Sequence, residues 1–458
     1  MKKLFIKTTI IALLLGGGAC KKLIEIPGNP PTEISGKQQF ADSATVMTAM
    51  AGVYSYTSSG VGFTYNDAYL TLATGLSSDE LSSTNVSDAA FQEFYGYGLT
   101  ANNTNVATLW SAPYTGVYPV NAILEGIAGN PAISETLRTE LTGELKVVRA
   151  LYYFNLVNLF NAVPLVTSSD YAANTRIPRT SADSIYAQVL KDLTEAEQAL
   201  TADYPSPGRA RPNLYAAKFL EAKMHLYRQE WQAAYDAAGV VIGSGVYSLE
   251  TDLNNVFLDG SNEAVWQLPA TGLYGSVSEA IRFVPYSGSV PTYLVTPSLL
   301  GAFETGDQRL QNWIGTSVSG GQTYYFPYKY KHPSPDGNNE DYMVFRLGEL
   351  YLIRAEAAAQ LGNTAGALSD LDQVRNRAGL SGSTAAAQGD ILAAIRHERQ
   401  VELFTEWGNR WYDLKRTATA GTVLKAEKMG WKDTDTLYPV PNSQRQLDNL
   451  LTQNPGYN

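Results

Sequence analysis

Phe345-Arg346-Leu347-Gly348-Glu349-Leu350-Tyr351-Leu352-Ile353-Arg354-Ala355-Glu356-Ala357 is the stretch on which the fold turns. Leu350, Ile353, Ala357 and, further on, Leu361 recur at spacings of three and four, the period of an amphipathic helix. Gly362-Asn363 then offers a turn, and Ala367, Leu368, Leu371 and Val374 restart the period, so residues 345–378 predict two helices joined by a short turn. Residues 213–241 have the same form, with Ala216, Phe219, Leu220, Ala222 and Leu226, a turn near 228–230, then Trp231, Ala234, Ala237 and Ala238. Placing Glu221-Ala222 over Glu356-Ala357 aligns Leu226 with Leu361. A two-helix unit of about 34 residues with alanine at the crossing points, where a small side chain lets two helix axes approach, is what a tetratricopeptide-like repeat requires. Two unrelated helical hairpins would give the same local pattern.

Outward from these units the chain stays helical in long blocks. Residues 38–56 carry Phe40, Ala44, Met47, Met50, Ala51 and Tyr54 at helical spacing, and residues 140–160 carry a broad stripe from Leu141 to Leu159 that ends before Pro164. Further helices are expected over 181–200 and 390–407; in the second, Arg399, Glu402 and Glu406 share a face and read as supporting ion pairs. Trp110, Tyr114 and Asn121 are spaced for a helix and read as core. Residues 57–105 show no clean period and read mostly as loops, and the tail from Leu437 reads as a proline-punctuated surface wrap. Between the two helical units, residues 244–339 are punctuated by Gly and Pro, with strand-like pieces at 264–268 and in the alternation Tyr324, Phe326, Tyr328, Tyr330. The expected fold class is mostly α, a tetratricopeptide-like helical scaffold with long irregular loop insertions, and such insertions are where function usually sits.

The first nineteen residues read as an export signal: Lys2, Lys3 and Lys7, a short apolar run at 10–15, and small residues at 16–19 before Cys20. That run is too short for a permanent span, which needs about 20 residues. Cys20 is the single cysteine, so it has no intramolecular disulfide partner. The end of the signal allows simple cleavage or cleavage with lipid attached to Cys20; lipidation gives the lone thiol a use. Residues 20–36, rich in Pro and Gly, read as a tether, followed by an N-terminal helical region over 37–243 and a C-terminal region over 244–458 within one compact body. Losing the signal takes the formal net charge from −10 to −13, a balance that argues against a nucleic-acid partner.

Catalytic patterns fail one after another. His397-Glu398 begins like a zinc-protease motif, but Val401 stands where the second histidine is needed. Ser319 replaces the second glycine of a nucleophile elbow over 315–319, and Ser248 the third glycine of a dinucleotide loop over 243–248. A glycosidase carboxylate pair has no fixed spacing and could be drawn from 44 acids, without any positive sign of it. The sequence therefore assigns no catalytic residue, metal ligand or cofactor, and a helical-repeat scaffold more often offers a binding surface.

Four stretches together resemble the SusD/RagB family of nutrient-binding lipoproteins of Bacteroidetes. They are Arg149-Ala150-Leu151-Tyr152-Tyr153-Phe154 with Leu159-Phe160-Asn161-Ala162-Val163-Pro164-Leu165, where Asn161 replaces a usual glycine; Phe345 to Ala357 with Val374-Arg375-Asn376-Arg377-Ala378-Gly379-Leu380; Glu398-Arg399 with Gly408-Asn409-Arg410-Trp411-Tyr412-Asp413-Leu414-Lys415-Arg416; and Leu437-Tyr438-Pro439-Val440-Pro441 with Asn454-Pro455-Gly456-Tyr457. The resemblance spans nearly all of the chain after Cys20. It implies a SusD-like fold, a lipid anchor at the outer membrane facing the cell surface, and a SusC-like TonB-dependent barrel as partner, to which an oligosaccharide or peptide is handed. Competing readings are an envelope scaffold that binds no nutrient and a glycan hydrolase. Arg410, Trp411 and Asp413 read as a packed, hydrogen-bonded corner rather than a ligand site.

For the ligand the expectation rests on aromatics in the irregular segments, because a sugar ring offers an apolar face for stacking while its hydroxyls need polar neighbours. Phe91, Phe94, Tyr95 and Tyr97, beside Asn102 and Asn103, form one group; Tyr274, Tyr286 and Trp313 form the other. The 29 tyrosines supply many such rings, and most aromatics in any protein pack in its interior.

Overall fold

Side-chain caps fix where the helices begin. Asn103, Ser134, Ser181, Asn213 and Asn363 each accept a hydrogen bond from a backbone N–H of the first turn that follows, satisfying donors that a helix start leaves open. The computed structural model describes residues 36–58, 68–270, 275–334, 340–428 and 430–457. Its main helices are α1 (Ser43–Ser58), α2 (Tyr69–Ser77), α3 (Ala89–Gly96), α4 (Thr104–Ile127), α5 (Glu135–Phe160), α6 (Ala182–Ala199), α7 (Leu214–Tyr227), α8 (Trp231–Gly243), α9 (Leu347–Gln360), α10 (Thr364–Arg377), α11 (Gln388–Glu402) and α12 (Asn409–Arg416). The signal, Cys20 and nearly all of the tether lie outside the described residues. Among the described residues no helix is long and apolar enough to cross a membrane.

From α4 to α9 each helix packs on the next, and α9 also receives α10 and α11. The two helical units are thus neighbours in space through α8 and α9, although some hundred residues separate them in sequence. Their true register differs from the leucine alignment by two residues: Leu214 matches Leu347 and Trp231 matches Thr364, which superposes Ala222 on Ala355. Leu226 is buried whereas Leu361 is 44% exposed beyond the end of α9, so these leucines are not equivalent. The turn residues correct the match: Gln229 (φ 60°) and Gly362 (φ 80°) occupy the same left-handed position between the helices. Ala355, Ala358, Ala359 and Ala367 are fully buried where α9, α10 and α11 meet, as close helix packing demands. Asn161 ends α5 with φ 64°, a conformation asparagine tolerates better than other side-chain-bearing residues.

The insertion after α8 returns to the scaffold through an antiparallel pair, Ala264–Pro269 with Asp341–Arg346, and the second strand runs directly into α9. A second pair, Ile314–Ser319 with Gln322–Pro327, turns at Gly320-Gly321, both with positive φ as a two-residue hairpin requires. The expected aromatic strand exists but ends at Pro327.

Among the described residues, the stretch 57–105 is not mostly loop, since α2, α3 and the strand Leu81–Ser83 lie there. α2 is buried from Leu70 to Ser77 and so carries no amphipathic period, and α3 is only eight residues long. The tail does more than wrap the surface: Tyr438 and Val440 are fully buried, and Asn454 donates to the carbonyls of Phe160 and Tyr438 at 3.1 and 2.7 Å.

Arg399, Glu402 and Glu406 are not surface pairs. Glu402 has no exposed side-chain area and accepts from Arg309 (2.8 Å), Arg346 (2.5 Å) and Arg377. Burial would raise its pKa, but Arg377, Arg346 and Arg309 outweigh burial and hold it well below the usual carboxylate range. Arg309 also binds Glu398 and Asp307, and Arg346 also binds Glu406. The Lys329 ammonium reaches the carbonyls of Glu402 and Phe404 at 2.7 and 2.8 Å, and burial lowers its pKa to about 8. These charges tie the insertion, which supplies Arg309, Lys329 and Arg346, to α10 and α11.

Candidate functional site

Strand Leu81–Ser83 pairs antiparallel with Tyr293–Val295, placing Leu81 opposite Val295 and Ser83 opposite Tyr293. Just beyond the ladder the Thr84 N–H donates to the Thr292 carbonyl at 2.9 Å, and its hydroxyl to the Pro291 carbonyl at 2.8 Å. The ladder therefore brings the chain just before α3 beside the segment that carries Tyr286. The loop after Val284 is tightened by Ser289, whose N–H and hydroxyl both donate to the Tyr286 carbonyl, at 3.0 and 2.7 Å. Ser317 of the glycine-turned hairpin donates to the Ser289 carbonyl at 2.6 Å, fastening that hairpin beside the loop.

Aromatic rings form the floor beneath this face. Phe91 contacts Tyr69 (5.4 Å between centroids), Phe94 (6.2 Å) and, edge-on, Tyr293 (6.2 Å), while Phe283 meets Tyr293 edge-on at 6.1 Å. The Arg282 guanidinium lies 5.9 Å from the Tyr69 ring centroid. The base is anchored through Asp79, which accepts from Arg410 Nε at 2.7 Å and Nη2 at 2.6 Å. Next to it Glu80 is buried, and burial together with the Asp79 charge raises its pKa to about 8. Trp411 is fully buried and stacked near Tyr438, and Asp413 pairs with Arg399 and Arg416. The Arg410, Trp411 and Asp413 corner is structural, as the sequence implies.

The structure sorts the expected ligand residues by burial. Tyr286 is 91% exposed, and Tyr95, partly exposed, has the Lys428 ammonium 4.9 Å from its ring centroid. Phe91, Phe94 and Tyr97 are core: Phe94 packs edge-on against Tyr438, Tyr97 packs against Trp431, and the Tyr97 hydroxyl is spent on the Ser77 carbonyl. Trp313 is fully buried with its indole N–H on the Leu253 carbonyl at 3.0 Å, so it presents no ring to a ligand. Asn103 caps α4, accepting from Asn105 and Val106 and donating to Ala90, which leaves it structural; Asn102 is exposed and accepts from Asn442 at 3.0 Å. Tyr274 lies outside the described residues. Tyr69, Tyr325 and Val86, on or beside this face, carry no sequence signal that separates them from core aromatics and apolar residues.

Among the described residues no cluster of potential metal ligands lies at the face. Glu304, His397 and Glu398 lie close together elsewhere, but Arg375 binds both carboxylates, Arg309 binds Glu398, and His397 Nε2 is 2.8 Å from the Ala302 carbonyl. Those donors are already taken by protein partners.

A helical-repeat scaffold whose insertions converge on an aromatic face is a binding protein by architecture. The chain belongs to the SusD/RagB family: a SusD family model matches residues 311–457, and a model described as starch-binding associating with outer membrane matches residues 33–226. A SusD-like protein of Formosa agariphila is 26% identical over 431 residues, covering 79% of this chain and 80% of that protein. The starch-binding protein SusD of Bacteroides thetaiotaomicron is 22% identical over 424 residues, covering 71% and 74%. Among solved structures, a SusD superfamily protein of Bacteroides vulgatus superposes with a TM-score of 0.82 at 19% identity, covering 91% of this chain and all of that one. A laminarin binding SusD-like protein superposes with a TM-score of 0.78 at 25% identity and the same coverage. The functional names among these relatives denote binding, not catalysis.

Proposed function

We propose that this protein is an outer-membrane lipoprotein, anchored through Cys20 and facing the cell surface, that binds a glycan and delivers it to a SusC-like TonB-dependent transporter. The observation that carries the reading is membership of a family whose relatives include starch-binding and laminarin binding proteins. The aromatic face adds support: an exposed Tyr286 on a fastened loop, above a rigid aromatic floor, suits the apolar side of a sugar ring. Residues 20–36 act as the tether, and the regions 37–243 and 244–458 work as one body, in keeping with a hydrophobic core that draws on both.

The test is isothermal titration of the protein against starch and laminarin oligosaccharides. Tyr286→Ala is expected to weaken binding about tenfold, the scale of one lost ring contact. Parent-like affinity in folded Tyr286→Ala and Tyr95→Ala variants moves the site elsewhere. A parent protein that binds no glycan or peptide, with nutrient uptake unaffected by its deletion, overturns the reading itself.

A further inference from the structure

A concavity of about 560 Å³ opens where α4, residues 164–177 and the helix Asn442–Leu447 converge, and it shares no residue with the aromatic face described above. Its walls are fixed. Tyr114 donates to the Pro164 carbonyl at 2.9 Å, and Asn121 to the Val166 and Ser168 carbonyls at 3.2 and 3.3 Å, pinning residues 164–168 along α4. Asn121 is itself held by Arg149, whose guanidinium clasps Asp192 at 2.7 and 2.8 Å. The third wall is tied in by Arg176 to Asn449 (2.9 Å) and Arg179 to the Thr452 carbonyl (3.0 Å).

Tyr118 follows Tyr114 by one helical turn, between the two pinned points, yet is 59% exposed. Tyr171 opens the short helix capped by Asp170 and is 82% exposed, and Leu447 is 80% exposed. Isolated exposed apolar residues are ordinary; three of them lining one preformed concavity above a buried Trp110 are not. Polar groups interleave with them: Gln444 makes no side-chain hydrogen bond among the described residues, and Asn174 spends its amide on the Ser168 carbonyl, leaving its own carbonyl open. Exposed rings beside amides match a pyranose, whose apolar face stacks on a ring while its equatorial hydroxyls need polar partners. A partner helix would want a continuous apolar stripe instead. Asp448 is in the lining and no basic residue is, so an anionic sugar is disfavoured.

We propose that this cleft is a second saccharide-binding site, specific for neutral glycans, in which Tyr118 and Tyr171 stack on a sugar ring. The proposal deepens the glycan-binding reading and rests on it. A long chain held at two places on one body would dissociate more slowly than one held at a single place, with no change at either site.

The experiment is titration of the full mature protein with neutral laminarin and starch oligosaccharides and with an oligouronate, on parent, Tyr118→Ala, Tyr171→Ala, Tyr171→Phe and Tyr286→Ala. Both tyrosines are surface residues, so the truncations should fold. The parent is expected to show two classes of site for neutral sugars. Tyr118→Ala and Tyr171→Ala should each weaken one class about tenfold and leave the other untouched, while Tyr171→Phe keeps both, as lost stacking predicts. Parent-like binding of neutral glycan in both alanine variants overturns the second site and leaves the glycan reading standing. Equal affinity for the oligouronate at this site overturns the stated specificity. No binding by the parent overturns both readings. Loss of a membrane partner in Tyr171→Ala, with glycan binding intact, overturns the proposal by making the cleft a protein-docking face.

Discussion

Glu402→Gln is the sharpest probe of how the loops that build the aromatic face are held to the scaffold. The substitution keeps shape and removes one charge at a point where Arg309, Arg346 and Arg377 converge and no side-chain area is exposed. Burial penalises each of those guanidinium groups, and the carboxylate offsets that penalty for three of them at once. Glutamine still offers a carbonyl oxygen, but its amide N–H groups then face donors that need acceptors. Breaking a buried ion pair from one side costs about 3–5 kcal/mol, against about 0–1 kcal/mol for an exposed pair. With total stability of about 5–15 kcal/mol, such a loss moves the unfolding midpoint far. Urea unfolding followed by far-ultraviolet circular dichroism measures it, with Lys191→Met, which removes an exposed partner of Glu195, as the control. If the two variants unfold at the same urea concentration, the charge cluster does not bind insertion to repeats and the reasoning fails.

Glu80 supplies a pH dependence. Its folded pKa, raised to about 8 by burial and by Asp79, means the associated stability is full below the unfolded value near 4.5 and is lost as pH rises through 8. Between pH 5 and 7.5 this group should cost about 3 kcal/mol, and Glu80→Gln should flatten that slope in urea midpoints; an unchanged slope refutes it. Cys20→Ala should abolish incorporation of labelled fatty acid and release the protein from the membrane fraction or leave it as precursor, whereas label retained in the variant excludes lipid at that residue. Purification from native membranes in mild detergent should bring a large β-barrel with this protein, and isolation as a lone monomer counts against the transporter partnership.

The helices were most legible where one face packs on a neighbour, so that burial writes a 3.6-residue period, as in α6, α8 and α10. Where burial is complete the period vanishes, which is why α2 looked like loop. The repeats were legible in kind but two residues off in register. Matching leucines weighs hydrophobicity, whereas the structure weighs the left-handed turn, and Gln229 and Gly362 share that position without sharing chemistry. The charge cluster was illegible for a different reason. Arg309, Lys329 and Arg346 come from the insertion and reach Glu402 and Glu406 only after the chain has folded back on itself, so no spacing announces them.

The binding residues were the hardest to read, and the reason is physical. Phe91, Trp313 and Tyr286 are indistinguishable as aromatics in irregular sequence, yet the first two are buried and the third is 91% exposed. Exposure of a ring depends on what the rest of the chain leaves uncovered, here the Leu81–Ser83 and Tyr293–Val295 ladder and the segments pinned along α4. Spacing alone also does not separate Tyr118 from Tyr114 one turn before it on α4, yet Tyr118 is 59% exposed while Tyr114 packs on the core. Local sequence can therefore nominate rings for stacking on a sugar. Only the packed scaffold decides which rings are free to do it, and that is why Tyr171 and Tyr286, rather than Trp313, are the residues whose substitution should change binding without changing the fold.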